Sequence, residues 1–210
     1  PEKRYYIDNG FFRHGSAFSL YAMLRQFQPK RVIEIGSGFT SALMLDTNDR
    51  FLDGKIEFVF IEPNPARLTS LLREDDWKRC RIIEDIVQNV PVSTFDTLGP
   101  GDMLFVDSSH VSKVGSDVNH IFFEILPTLR SGVIIHIHDI YWPFEYPEQW
   151  IAEGISWNEA YLLRAFLQYN NKFEILQFND YLVHRFREYY QKSLSQVLED
   201  SGSSIWLRKV

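Results

Sequence analysis

Short runs of β-branched and aromatic residues alternate along this chain with stretches of helical periodicity. That alternation predicts a mostly parallel sheet covered by helices. Arg31–Ile35 reads as a first strand, stopped by Gly36, and Thr40–Asp49 as a helix. Ile56–Ile61 reads as a second strand, ended by Glu62 and Pro63. Pro65 suits the first turn of the next helix, which runs to about Arg73. Arg81–Ile83, Asp102–Val106 and Val133–Ile137 follow as strands three to five. Between the last two, Ser116 or Asp117 caps a helix expected to reach Leu126. Beyond strand five the pattern changes. Pro143 and Pro147 forbid a continuous helix or central strand over Tyr141–Trp150. Asn158–Gln168 and Tyr181–Glu199 read as helical, and Phe173–Phe178 and Ser204–Arg208 as closing strands. No linker or repeat divides the chain. One domain over 1–210 is expected, with an N-terminal helical segment (1–30), a core (31–178), and a helical insertion with a final edge strand (179–210).

In such sheets ligands bind beyond the carboxyl ends of the strands, near the switch in strand order. The residues there are unusually acidic: Glu34 within strand one, Glu62 after two, Glu84 and Asp85 after three, Asp107 after four and Asp139 after five. Acids are poor strand formers, so a ring of them at one edge suggests a polar or cationic ligand. The plain alternative is that each caps the next helix. Gly36-Ser37-Gly38 permits a tight reversal and close approach of a ligand to the backbone. A dinucleotide fingerprint would place a third glycine where Ser41 stands, which speaks against a nicotinamide cofactor.

Composition narrows the classes further. The net charge is -6 and no basic patch stands out, which argues against nucleic acid as a partner. No apolar run is long enough to span a membrane. The lone Cys80 excludes an intrachain disulfide and any multi-cysteine metal site, and suits a cytoplasmic protein. The chain opens on Pro1 rather than Met, so an upstream segment is expected.

Together the ordered motifs point to a family. Val32-Ile-Glu-Ile-Gly-Ser-Gly-Phe-Thr40 resembles the first motif of class I S-adenosylmethionine-dependent methyltransferases. Phe58–Glu62 resembles their second motif, Leu104–Asp107 the fourth, and Ser131–Asp139 the strand-five segment. The resemblance spans roughly residues 14–178, and its nearest branch is the small-molecule O-methyltransferases. It implies a Rossmann-like α/β fold: a doubly wound, mostly parallel seven-stranded sheet with an antiparallel last strand. It further implies S-adenosylmethionine as cofactor, held by Gly36, Ser37, Gly38 and Thr40. Glu34 would lie near the methionine ammonium, directly or through water. Glu62 would take the ribose hydroxyls, Asp85 and Gln88 the adenine edge, and Asp107 the methionine end.

The expected reaction is methyl transfer to an oxygen of a small molecule, a sugar or secondary metabolite. Displacement at a sulfonium needs alignment above all, and a hydroxyl nucleophile also gains from losing its proton. His110 and His138 are the candidate bases at strand ends, with Asp139 beside them. Asp107 and Asp139 should end adjacent strands within reach of one divalent ion, with His138 as nitrogen donor; the bland alternative is that Asp139 anchors the following loop. His136 reads as buried and structural. The aromatic Tyr141–Trp150 segment suits a substrate wall, or else a packed loop or dimer contact; Trp157 reads as core or lid packing. A homodimer is a candidate state. A nicotinamide oxidoreductase and a non-catalytic cofactor-binding module remain the alternatives.

Overall fold

The computed structural model describes residues 3–210; the expectation attached to Pro1 lies outside them. Seven strands form one sheet in the order β3-β2-β1-β4-β5-β7-β6. They are β1 (Arg31–Ile35), β2 (Glu57–Ile61), β3 (Cys80–Ile83), β4 (Met103–Val106), β5 (Ile134–His138), β6 (Phe173–Phe178) and β7 (Ser204–Lys209). The first five run parallel; β7 is antiparallel to both β5 and β6. This is the doubly wound arrangement expected from the sequence, and the order reverses between β1 and β4.

Alternation along the strands builds two cores, one on each face of the sheet. Val32, Phe58, Phe60, Phe105 and Trp206 face α1 (His14–Phe27) and α2 (Phe39–Phe51). Ile33, Ile35, Leu104, Val106, Ile135 and Leu207 face the other side. There they meet α4 (Asp117–His120) and α6 (Glu159–Leu167). A short α3 (Ala66–Leu71) follows β2.

The helix expected over 116–126 is only partly regular. Ser116 caps it, accepting from the Asn119 N–H at 3.2 Å. It then widens into a π-turn at Ile121–Ile125 and tightens into a 3-10 turn at Leu126–Thr128, where Pro127 cannot continue the hydrogen-bond ladder. The 181–199 region breaks at Phe186 into α7 (Asn179–Arg185) and α8 (Arg187–Ser193). Between β5 and α6 only α5 (Glu148–Ala152) forms, after both prolines. Among the described residues no helix is long and apolar enough to cross a membrane.

Ahead of α1, residues 3–13 are strapped across α2. Arg4 is buried and its guanidinium reaches Asp46 (2.8 Å), Asp49 (2.9 Å) and Asp76 (2.6 Å). The Asn9 carboxamide then turns the chain, accepting from the N–H groups of Phe11 (2.9 Å) and Phe12 (2.8 Å). This delivers two phenylalanines to the carboxyl edge of the sheet.

Candidate active site

The β1–α2 loop is built around a close approach. Gly36 has φ +82°, and a Cβ there would lie 2.0 Å from the Asp107 carbonyl oxygen. Only glycine fits, so β1 and β4 can converge at the switch point. The Ser37 N–H donates to Glu62 Oε2 (3.1 Å), and the Asn64 N–H donates to Glu62 Oε1 (2.8 Å). Glu62 is thereby fixed with lone pairs to spare. Ser41, where a dinucleotide fold would have glycine, accepts from the Gly38 N–H at 3.0 Å and donates to Glu34. That serine ties the loop to the strand beneath it.

A cavity of about 450 Å³ opens here. Gly36, Ser37, Gly38, Thr40, Glu62 and Asp107 line it, as do His110, His138 and Asp139. Phe11 and Phe12 cover it, with Phe11 stacked on Phe39 (5.9 Å) and on the Arg67 guanidinium (4.1 Å). A second cavity of about 430 Å³ shares Gly36, Glu62, Asp107, Ser108 and Ser109 with the first, so the two form one groove. Its far end holds Ile86, Val87 and Gln88. Gln88 Oε1 and Ser37 Oγ are buried without a hydrogen-bond partner, and both belong to groove-lining residues.

Two expected residues are not brought to this groove. Glu34 is fully buried, alternating with Val32 toward α2, and its carboxylate takes the hydroxyls of Thr40 and Ser41. It lines neither cavity, so the expected direct approach to a ligand is not provided; its partner Thr40 does line the groove. Burial pushes its acid up to about 8, against the pull of the two hydroxyls. Asp85 is exposed and absent from both linings. Its carboxylate accepts from Ile86 N–H and Asn89 Nδ2, both at 2.8 Å, and so shapes its own turn.

At the other end the site is a cluster of carboxylates and imidazoles. The β4–β5 register pairs Val106 with Ile137, which carries Asp107 and His138 to adjacent strand ends. Asp107 Oδ1 lies 3.4 Å from His110 Nε2 and 3.6 Å from His138 Nδ1. Asp139 Oδ2 lies 3.6 Å from His110 Nε2, and its Oδ1 accepts from Ser203 Oγ at 2.6 Å. His110 and Asp139 both adopt positive φ, 60° and 53°, which aims them inward from tight turns.

Sequence reasoning missed Glu159, at the first position of α6. It is fully buried, and its Oε2 lies 2.8 Å from His110 Nδ1 while accepting from Ser108 Oγ at 2.8 Å. In the sequence it looks like an ordinary acid at a helix start; no short-range signal connects it to His110. Trp157, read as packing, lies against the His110 ring at 4.2 Å and lines the first cavity.

The carboxylates govern the protonation of the two histidines. Burial alone would lower His110, but hydrogen bonds and charge from Asp107 and Glu159, with Asp139 nearby, push it up to about 10. His138 is likewise opposed by burial and raised well above its usual value by Asp139 and Asp107. Burial works against ionisation of Asp107 and Asp139, yet the facing imidazoles hold both below the usual carboxylate range. In this arrangement both candidate bases, His110 and His138, favour the protonated form. His136, in contrast, stacks on Phe105 at 3.8 Å and is driven well below its normal value by burial and by His138. It is the structural histidine.

The group that converges as a cation site is Asp107, His110 and Asp139, whose ligand atoms lie within 4.8 Å of one another. The nitrogen donor in this set is His110 rather than the expected His138. The His110 Nδ1 contact with Glu159 fixes the ring so that Nε2 faces the two carboxylates, as a carboxylate behind a metal-binding imidazole does.

A third cavity of about 740 Å³ shares Phe11, His138, Asp139 and Trp157 with the first and extends toward β7 and α7. Tyr141, Gln149 and Trp150 line it, so part of the aromatic segment after β5 forms a wall. Glu145 and Glu148, the acids of that segment, do not line the cavity. Glu145 instead accepts from the Tyr161 hydroxyl at 2.9 Å.

Comparison with known proteins places this architecture. An uncharacterized protein of Archaeoglobus fulgidus is 38% identical over 96 residues, covering 45% of this chain. The chain spans about two fifths (42%) of the length of that relative. Among solved structures, the O-methyltransferase TomG of Streptomyces achromogenes, involved in tomaymycin synthesis and in complex with SAM, superposes with a TM-score of 0.57. Identity is 16%, over 92% of this chain and 78% of that one. The SAH-bound Podospora anserina methyltransferase PaMTH1 gives 0.55 at 16% identity, over 92% and 77%. A cmcI structure with Mg and SAM gives 0.52 at 16%, over 92% and 70%. These likenesses show the fold. The profile described as "Methyltransferase domain" matches residues 33–140, just over half of the chain and the segment that carries the groove. The chain belongs to that methyltransferase-domain family.

Proposed function

We propose that this chain transfers a methyl group from S-adenosylmethionine to a hydroxyl oxygen of a small molecule. One observation carries the reading: the order of chemistry along a single groove. Apolar Ile86 and Val87 with the unpartnered Gln88 Oε1 suit an adenine. The preset Glu62 carboxylate suits the two ribose hydroxyls. Gly36–Gly38 lets the ligand pass close to the backbone. Asp107 and Thr40 meet the cationic methionine end, with Glu34 supporting Thr40 from below.

The reaction is an in-line displacement. The acceptor oxygen bonds to the methyl carbon, and the carbon–sulfur bond breaks with its electron pair going to sulfur. The protein mainly aligns the partners. Asp139, fixed by Ser203 and held ionised, accepts a hydrogen bond from the acceptor hydroxyl and receives the proton that the oxygen sheds as the new bond forms, passing it on to solvent. Glu159 acts through His110 and is a positioning residue. Two carboxylates and the outward His110 nitrogen, once its proton is displaced, fit a divalent cation, and Asp107, His110 and Asp139 would hold it. Bound there, it would lower the pKa of the acceptor hydroxyl. Burial pushes the Cys80 thiol up to about 12, so it is no nucleophile, and we place the protein in a reducing cytoplasm.

Isothermal titration with S-adenosylhomocysteine tests the reading. Saturable binding that weakens in Asp107→Ala is expected; no binding to the folded wild-type protein overturns it.

A further inference from the structure

The geometry points to the class of acceptor: a saccharide bearing an acidic group, bound in the third cavity with the acid on Arg13 and Arg187. This rests on the methyl-transfer reading for its reaction, though not for its binding. The cavity meets the cofactor groove at His138 and Asp139, so a molecule within it can present an oxygen to the methyl-donor end. Its volume of about 740 Å³ lies within the usual range for small-molecule sites.

The lining differs from a slot for a flat phenol. Tyr141, Trp150 and Trp157 bring aromatic rings, but Ser16, Ser201 and Ser203 line the same space, the last two with their protons given to Asp180 and Asp139 and their oxygens left as acceptors. Aromatic faces beside hydrogen-bonding groups suit a ring that is apolar on its faces and hydroxylated at its rim.

The acids of the lining have partners within the protein, whereas its two arginines form no ion pair among the described residues. Asp180 accepts from Trp142 N–H (3.0 Å) and Ser201 Oγ (2.6 Å), and lies 3.4 Å from His184 Nε2. Asp200 accepts from the Gly202 N–H at 3.0 Å, and Glu199 faces His14 at 3.7 Å. Asp139 is held by Ser203. Arg13 and Arg187 line the cavity, are exposed, and form no ion pair among the described residues. Two exposed guanidiniums without an ion pair in the lining of one cavity suit a phosphate or carboxylate, which arginine binds through paired N–H groups. The acidic substituent then sits on these arginines, and the sugar ring lies against the aromatic wall with a hydroxyl toward Asp139.

The test uses two readouts on wild type and an Arg13→Ala/Arg187→Ala double variant. Both side chains are exposed, and thermal unfolding checks that the fold is kept. Ligand-observed NMR measures binding of a hexose phosphate, a hexuronic acid, a neutral methyl hexoside and a catechol, with and without S-adenosylhomocysteine. Tritium transfer from methyl-labelled S-adenosylmethionine measures turnover with the same panel. The expected result is binding and labelling of an acidic saccharide, with the two acidic members showing whether phosphate or carboxylate is preferred. In the double variant its KM rises about tenfold or more, while affinity for S-adenosylhomocysteine stays within about twofold. Failure of every saccharide to bind, a catechol preferred over all of them, or indifference to the double substitution overturns the proposal. Arginine-dependent saccharide binding in a protein that ignores S-adenosylhomocysteine upholds the cavity assignment and removes the methyl-transfer reading instead.

Discussion

Glu62→Gln is the sharpest probe of the groove. The wild-type carboxylate already accepts one backbone N–H on each oxygen, from Ser37 and Asn64. Each oxygen keeps a further lone pair for a ribose hydroxyl. A glutamine must turn its NH2 toward one of those N–H groups, donor against donor, and it carries no charge. A hydrogen bond to a charged group contributes about 1.5–3 kcal/mol and a neutral one about 0.5–1.5. Downgrading two ribose contacts therefore costs about 2–3 kcal/mol, roughly 30- to 150-fold in affinity. Isothermal titration with S-adenosylhomocysteine gives the number, and an unchanged denaturation midpoint shows that the protein is intact. A weakening below about threefold in folded Glu62→Gln would remove Glu62 from the ribose and with it the orientation of the cofactor.

Two other perturbations probe the buried acids. Glu159→Gln keeps the shape around His110 but not the charge; methyl transfer should slow about 10- to 100-fold in single-turnover assays, with unchanged S-adenosylhomocysteine affinity. Normal turnover would show that Glu159 serves packing alone. Glu34 is ionised less readily in the folded chain than in the unfolded one, so its contribution is fully present below pH 4.5 and lost as pH rises through about 8. Relative to wild type, Glu34→Gln should gain stability across that window, by at most about 5 kcal/mol. Parallel denaturant titrations check this, and a pH-independent difference would contradict a neutral buried acid.

Much of the site was legible because its residues follow their strands directly. Gly36, Glu62, Asp107, His138 and Asp139 each lie at the carboxyl end of a strand, and alternation fixed the strands themselves. Asp85 obeyed the same pattern yet turned back onto Asn89, because a carboxylate beside free N–H groups satisfies them locally. Glu159 and Phe11 were illegible for the opposite reason: each reaches the site only through tertiary packing, one from the start of α6 and one from the Arg4 strap. His110 was legible as a strand-end imidazole but its place between Asp107 and Asp139 was not, because the turn that carries it, with its positive φ, has no short-range signature in the sequence.

The antiparallel β7 has a consequence for biosynthesis. The second cavity, at the Gln88 end of the groove, is lined wholly by residues 35–117, which leave the ribosome ahead of β5. The third cavity depends on the far end of the chain: Ser203 holds Asp139, Ser201 bonds Asp180, and the Gly15 N–H donates to the Asp200 carbonyl. Its walls join the opening of the chain to its closing strand. During synthesis the residues of the second cavity are thus all present before those of the third.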